Sequence, residues 1–197
     1  PPPPLFFLMI RRPPRSTLSS SSASSSSAAS DVYKRQDGGR VIQVQFTDFG
    51  TQYTNAANNG NLSNSSFQPT GLSCAITPKS TSSKILVWYD QSWFYQVNNA
   101  PSQTAQGCGL RLYRGATEIT SRSSYNDWYQ DIGTSANQRI HGRTQSQFLD
   151  SPNTTSATTY SLKIMFHTAN YSDLRVQYTD GAQTESRSYM TLMELSS

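Results

Sequence analysis

Histidine and cysteine, from which metal and nucleophilic sites are often built, are scarce in this 197-residue chain. Cys74 and Cys108 are its two cysteines, and they form no CxxC pair and have no histidine nearby, as a tetrahedral zinc site would need. His141 and His167 are far apart in sequence, and neither lies in an HxH or HExxH motif. The sequence therefore predicts no metal site.

Motifs for nucleotide binding and nucleophilic catalysis are also missing. The chain has no GxxxxGK[ST] or GxGxxG loop and no GxSxG elbow around any of its many serines. These absences lower the expectation of an enzyme, although active sites built from scattered residues leave no local pattern. We predict no catalytic residue, no cofactor and a non-enzymatic function.

Long hydrophobic runs are absent. The apolar run that begins at Leu5 and includes Phe6, Phe7 and Met9 is far shorter than the roughly 20 residues of a membrane-spanning helix. A secretory signal places basic residues before its apolar core, and here Arg11 and Arg12 follow it. We expect no membrane insertion.

Excess charge of either sign is absent from most of the chain. The formal net charge is +4, with 16 basic and 12 acidic residues. Residues 1–36 hold five of the basic residues and one of the acidic ones, so residues 37–197 carry 11 of each. A neutral body offers no electrostatic surface for phosphates, and we predict no binding to nucleic acid.

The first 36 residues differ in composition from all that follows. They begin with four prolines and continue into basic and serine-only tracts, which predict no folded element. The string FLMIRRPPRSTLSSSSASSSSAASDVYKRQ resembles the conceptual translation of sequencing-adapter DNA. We expect residues 1–36 to be disordered and non-native, with the natural N-terminal part missing. The alternative is a genuine serine-rich linker with a basic patch.

Residues 37–197 have the pattern of an all-β domain. They are rich in Thr, Ser, Gln, Asn and Tyr, and short apolar or aromatic runs recur every 8 to 15 residues or so between turn-forming intervals. About eight or nine strands are predicted, and no strand–helix alternation appears. The predicted fold is an antiparallel β-sandwich, jelly-roll-like, in a single domain. The predicted strands are 41–46, 74–77, 84–95, 109–114 with a return at 117–120, 139–149, 158–167, 174–178 and 188–195.

Three of these strands carry specific packing expectations. Residues 84–95 are apolar on both faces at first, which predicts a central strand with Trp88 in the core. The segment LRLYRGATEI predicts a hairpin with Leu110 and Leu112 facing in and Arg111 facing out. Residues 158–167 alternate as a half-buried antiparallel strand does. Cys74 and Cys108 are interpreted as small buried hydrophobic residues, and a disulfide between them is left open.

Several segments resemble a domain of marine bacteriophage tail-fibre and virion structural proteins. They are VIQVQFTDF, GLSCAITPKSTSSKILVWYD, GLRLYRG, FLDSPNTTSATTYSLKIMF and SYMTLMEL, and together they span essentially residues 40–197. That domain is similar in strand layout to jelly-roll trimer heads of the complement C1q and tumour-necrosis-factor kind. The resemblance implies a distal homotrimeric domain of an extracellular virion fibre that adsorbs to a host-surface glycan or protein. It carries over no catalytic residue.

The sequence departs from that pattern around Trp93, Phe94 and Tyr95, in residues 98–106 and in SYNDWYQD, where we expect lineage-specific loops. Tyr and Trp combine flat apolar faces with polar edges, which suits recognition of sugars or proteins. The alternative is that these rings pack on the sandwich edge or between subunits. The candidate ligand-binding residues are Tyr125, Asn126, Asp127, Trp128, Tyr129 and Trp93.

Two other functions remain open from the sequence. Asp127 and Asp131 form the one close carboxylate pair near aromatic residues, and a carbohydrate depolymerase would need two such groups facing across a sugar. A loop whose aspartates cap turns is the simpler explanation. A purely structural trimerisation tip that binds nothing is the third possibility.

Overall fold

The computed structural model contains strands and no helix in the part of the chain that it describes. The predicted foreign head, the candidate Tyr125 and residues 98–103 of the loop expected at 98–106 lie outside that part. The rest of that loop prediction is wrong, because residues 104–106 are strand. The described residues are 40–52, 66–97, 104–123, 126–133, 137–167, 173–178 and 186–197.

Ten strands are described. Every predicted strand is present, and the predicted bounds of 158–167 and 188–195 agree with the structure. One strand was not predicted: the segment around Trp128, expected as a loop, is β6. The strands are β1 Val41–Phe49, β2 Gln68–Ile76, β3 Lys84–Val97, β4 Thr104–Arg114, β5 Thr117–Glu118, β6 Trp128–Ile132, β7 Gln138–Asp150, β8 Thr158–His167, β9 Asp173–Val176 and β10 Ser188–Leu195.

The strands form two antiparallel sheets. Sheet A has the order β1-β10-β3-β7, with β9 paired to β3 beyond the end of β10. Sheet B has the order β2-β8-β4-β5, with β6 paired to β4. Early strands therefore pair with late ones: β1 with β10, β2 with β8, β3 with β7 and β4 with β6. This wrapping of one long antiparallel hairpin gives the jelly-roll-like β-sandwich that the sequence predicts.

The core lies between the sheets and follows the two-residue period of the strands. On β8, Tyr160, Leu162, Ile164 and Phe166 are buried, and the residues between them are partly exposed. The hairpin from β4 to β5 agrees with its prediction, since Leu110 and Leu112 are buried and Arg111 is partly exposed.

Trp88 was predicted to lie in the core, and that prediction is wrong. In the first half of β3, Ile85, Val87 and Tyr89 face sheet B, whereas Leu86 and Trp88 point outward, and Trp88 is 51% exposed. The neighbouring strands β10 and β7 flank β3 in the sheet without covering its outer face. Both faces become buried only in the second half of the strand.

That second half was expected to hold a lineage-specific loop around Trp93 to Tyr95, and it is regular strand instead. Trp93 and Tyr95 enter the core, and Phe94 lies on the outer face. Phe94 is nevertheless buried because Tyr178 stacks on it with ring centroids 4.2 Å apart and His141 contacts it at 4.6 Å. These two rings thus bury Phe94 where a third layer of structure would otherwise be needed.

A partly buried ion pair and a buried hydrogen bond join the two sheets at the end of β7. The carboxylate of Asp150, on sheet A, accepts hydrogen bonds from Arg114 at 2.8 Å and from the Tyr160 hydroxyl at 2.6 Å, both on sheet B. Burial, followed by the hydrogen bond and charge of Asp150, raises the pKa of Tyr160 well above its ordinary value. Tyr160 therefore stays a protonated donor.

Glu194 makes a second connection between the sheets. Its side chain accepts hydrogen bonds from the amide of Gln43 at 2.6 Å and from the backbone N–H of Lys79 at 2.7 Å. Lys79 lies in the segment from β2 to β3, which carries the chain from sheet B to sheet A. Glu194 thus fixes that crossover to the last strand.

Cys74 and Cys108 are both buried and both free, as the interpretation of them as small hydrophobic residues requires. They lie on β2 and β4, opposite Tyr160 and Phe166 of the strand between them. Those partners are six residues apart on β8, about 20 Å at the rise of an extended strand. A disulfide would need Cα atoms within about 7 Å, so this register keeps the cysteines apart.

Candidate functional site

The described members of the predicted binding cluster do not share one surface. Tyr125 lies outside the described residues, and Asn126 is exposed just before β6. The side-chain oxygen of Asn126 accepts hydrogen bonds from the backbone N–H and the hydroxyl of Ser123, at 2.6 and 2.8 Å. These contacts close a turn, so Asn126 shapes the approach to β6.

Both carboxylate oxygens of Asp127 are used in hydrogen bonds within the fold. One carboxylate oxygen accepts the backbone N–H of Leu110 at 2.6 Å, and the other accepts the guanidinium of Arg122 at 2.6 Å. The Asp127 side chain is 2% exposed. Arg122 also donates to Ser146 of β7 at 3.2 Å, so the pair links sheet B to sheet A. Asp127 is thus placed as a structural residue.

Trp128 and Trp93 meet inside the sandwich. Their ring centroids are 5.2 Å apart, and Tyr95 contacts Trp128 at 5.6 Å. The indole N–H of Trp93 donates to the hydroxyl of Thr144 at 3.1 Å, and Trp93 is 5% exposed. The prediction of a loop around Trp128 is wrong, because β6 pairs with β4 and Trp128 lies opposite Cys108. The structure therefore places both tryptophans at the end of the core.

Tyr129 presents its ring to solvent, at 53% exposure, and its hydroxyl donates to Asp131 at 3.2 Å. Asp127 and Asp131 are four residues apart along extended chain, about 13 Å between Cα atoms. The carboxyl pairs of glycosidases are about 5 to 9.5 Å apart. This separation and the burial of Asp127 argue against the paired-carboxylate hypothesis.

An aromatic surface that the sequence predictions missed is the outer face of sheet A. Register aligns Phe46, Thr191, Trp88 and Gln147 in one line across four strands. The next line runs through Asp48, Tyr189, Asp90 and Gln145. Between these lines lies a pocket of about 200 Å³, here named the Trp88 pocket, lined by Trp88, Asp90, Gln145, Tyr189 and Thr191.

Asp90 is held in a fixed orientation at the edge of the Trp88 pocket. One carboxylate oxygen accepts Arg143 at 2.8 Å, and the other accepts the amide of Gln145 at 3.0 Å. Tyr189 is supported by Phe46, with stacked rings 6.1 Å apart, and by the guanidinium of Arg143 at 5.7 Å from its ring centroid. The polar groups are therefore preorganised by neighbours on the same face.

A line of apolar side chains crosses the same face one step away. Register places Val44, Met193, Leu86 and Leu149 side by side on β1, β10, β3 and β7. Val44 is 52% exposed and Leu149 is 51% exposed. We call these four residues the apolar row. Exposed apolar residues that join into a line mark interaction surfaces more than scattered ones do.

A sequence signal for this face does exist. In KILVWYD the strict alternation assigns Ile85, Val87 and Tyr89 to one side and Leu86 and Trp88 to the other. A strand with two apolar faces is buried on both sides only when a further layer covers the outer face of its sheet. The alternation of residues along the strand gives no information about that layer.

The histidines occupy separate places. His141 lies on β7 against Phe94, and His167 is the last residue of β8. Among the described residues, no three His, Cys, Asp or Glu side chains come together to hold a metal ion. Within the same ranges, no helix has the length and apolar character needed to cross a membrane.

Neither protein-family models nor curated proteins give a match to this chain.

Proposed function

We propose that this chain is a non-enzymatic receptor-binding domain at the tip of a bacteriophage tail fibre, which adsorbs to a host surface as a homotrimer. The observation that carries the proposal is the open aromatic face of sheet A. Phe46 and Trp88 are 61% and 51% exposed there, and hydrogen-bonding groups surround Trp88. Tyr, Trp and Phe are enriched at recognition surfaces because each gives a large contact area at small entropic cost.

Self-association is assigned to the apolar row. Its four side chains lie in one line without a charged member, and interface cores are depleted of charge. Three copies held together present three receptor sites on one fibre. Weak single contacts then add to strong attachment, because the second and third contacts form at high effective concentration.

Receptor binding is tested with the full chain, fluorescently labelled and incubated with a panel of intact marine bacterial strains. We expect at least one strain to retain the protein, and Trp88→Ala to reduce retention about tenfold or more. Ala75→Lys, on the exposed outer side of sheet B, is the control and should bind like the parent chain. A folded trimer retained by no strain would instead favour a purely structural tip.

The oligomeric state is tested by sedimentation equilibrium at micromolar concentration. The expected mass is three times that of the chain. Leu149→Lys places a charge in the apolar row and should shift the mass to that of one chain, whereas Ala75→Lys should not. A stable monomer of the parent chain would contradict the homotrimer.

A further inference from the structure

We infer that the Trp88 pocket is a subsite for one neutral sugar residue, so that the receptor contacted by this face is a glycan. This inference rests on the proposed receptor-binding function and adds the chemical class of the ligand.

The size and lining of the pocket suit a single sugar ring. Its volume of about 200 Å³ lies below the roughly 300 to 1,000 Å³ of pockets for drug-sized ligands. Trp88 forms one wall and is half exposed, so part of its indole face is open to a ligand. A pyranose has an apolar face of C–H groups that packs on such a ring, as other flat or weakly polar groups do.

The other walls supply hydrogen-bonding groups from three strands. Asp90 lies on β3, Gln145 on β7, and Tyr189 and Thr191 on β10. An ionised carboxylate offers about four acceptor positions, and Arg143 and Gln145 each use one on Asp90. The remaining positions can accept sugar hydroxyls, and the hydroxyls of Thr191 and Tyr189 can both donate and accept.

The charges of the site favour a neutral ligand. Asp90 and Arg143 form an ion pair at 2.8 Å, so the nearest opposite charges offset each other. An anionic sugar or a phosphate would meet the carboxylate of Asp90 inside the pocket, and like charges in one site are unfavourable.

The carboxylate of Asp90 also makes a sugar a better occupant of the pocket than a second copy of the chain. A protein surface that covered the pocket would bury Asp90, and charged residues are depleted at the centre of protein interfaces. A sugar can satisfy the carboxylate with hydroxyl groups. The neighbouring apolar row has no such group and is the better self-association surface.

The inference is tested by NMR titration of the full chain with methyl glycosides of glucose, galactose, mannose and N-acetylglucosamine, up to tens of millimolar. The indole N–H signal of Trp88 is identified by its loss in Trp88→Phe. We expect at least one neutral glycoside to shift this signal in a saturable way with a millimolar Kd, as a single weak subsite would. Glucuronic acid should bind at least tenfold more weakly.

Two variants test the polar walls. Asp90→Asn and Thr191→Val should each weaken sugar binding about fivefold or more, because each removes a hydrogen-bonding group or its charge. Thr159→Val is the matched control on the outer face of sheet B and should leave the titration unchanged.

Three outcomes would overturn the inference. If no glycoside shifts the Trp88 signal while cells still retain the protein through Trp88, the pocket contacts a protein receptor and the receptor-binding proposal survives. If Trp88→Ala dissociates the oligomer, a second copy occupies the pocket. If neither sugars nor cells bind, the receptor-binding proposal falls together with the inference.

Discussion

Trp93 and Gly142 are cross-strand partners on the inner face of sheet A, and the indole of Trp93 fills the space that a side chain at position 142 would take. A Cβ atom at Gly142 would overlap the benzene ring of Trp93. Trp93 cannot move away freely, since Thr144 holds its N–H and Trp128 packs against its face.

Gly142→Ala is therefore expected to destabilise the fold by about 1–3 kcal/mol through overpacking. Urea unfolding at fixed protein concentration measures the change. Gly133→Ala is the matched control, because none of the described residues, its chain neighbours aside, has an atom within 4 Å of a Cβ at that position. Equal stability of the two variants would mean that Trp93 repacks at no cost.

Asp150→Asn tests the buried connection between the sheets. The substitution removes the charge that Arg114 and Tyr160 share, and we expect a loss of about 1–3 kcal/mol in the free energy of unfolding. Glu118→Gln removes the carboxylate of the more exposed Arg111–Glu118 pair and should cost about 0–1 kcal/mol. A larger loss of stability in Glu118→Gln than in Asp150→Asn would mean that the Arg111–Glu118 pair contributes more to stability than the contacts of Asp150.

The stability of the fold is expected to depend on pH through Glu194. Burial by itself would raise the pKa of this carboxyl, but the nearby Ser83 hydroxyl, the hydrogen bond from Gln43 and the backbone N–H groups of Lys79 and Ser80 together hold it below its ordinary value. The unfolded chain then binds a proton more readily than the folded one, so stability from Glu194 is present above about pH 4.5 and is lost as the pH falls below it.

The measurement compares urea unfolding of the parent chain and Glu194→Gln from neutral pH down to about pH 3. Their difference in stability should be largest near neutral pH and should shrink in acid. A difference that stays constant over this range would assign the effect of the substitution to packing.

The cysteines predict slow thiol chemistry. Burial, with a smaller contribution from the charge of Asp127, raises the pKa of the Cys108 thiol well above its ordinary value. We expect iodoacetamide to label neither Cys74 nor Cys108 in the folded protein and to label both in urea, as read by mass spectrometry. A Cys74–Cys108 disulfide in the folded, non-reduced protein would contradict the strand register.

The fold could be predicted from the sequence where the local apolar pattern matches the burial of the residues in the structure. β8 and β10 alternate strictly, and their predicted bounds agree with the structure. β6 was missed because its sequence WYQDI follows turn-forming Asn126 and Asp127, and its pairing with β4 is a long-range contact. Local preference does not report such a partner.

The candidate site was harder to predict than the fold. Asp127 and Trp128 have the residue types of a binding surface, but their hydrogen bonds and ring contacts are made within the sandwich. Trp88 has the residue type of a core position and is half exposed. In both cases the deciding fact is which face of a sheet is covered, and that depends on the packing of distant strands.

The pairing of β1 with β10 has a mechanical consequence. The ladder holds eight aligned residue pairs, from Val41 opposite Leu195 to Phe49 opposite Ser188. The hydrogen bonds of an antiparallel ladder lie across the strands. A pull along β1, with β10 and β3 held in place, loads these bonds in shear and distributes the force over the whole ladder. The sheet is thus built to resist traction along its first strand.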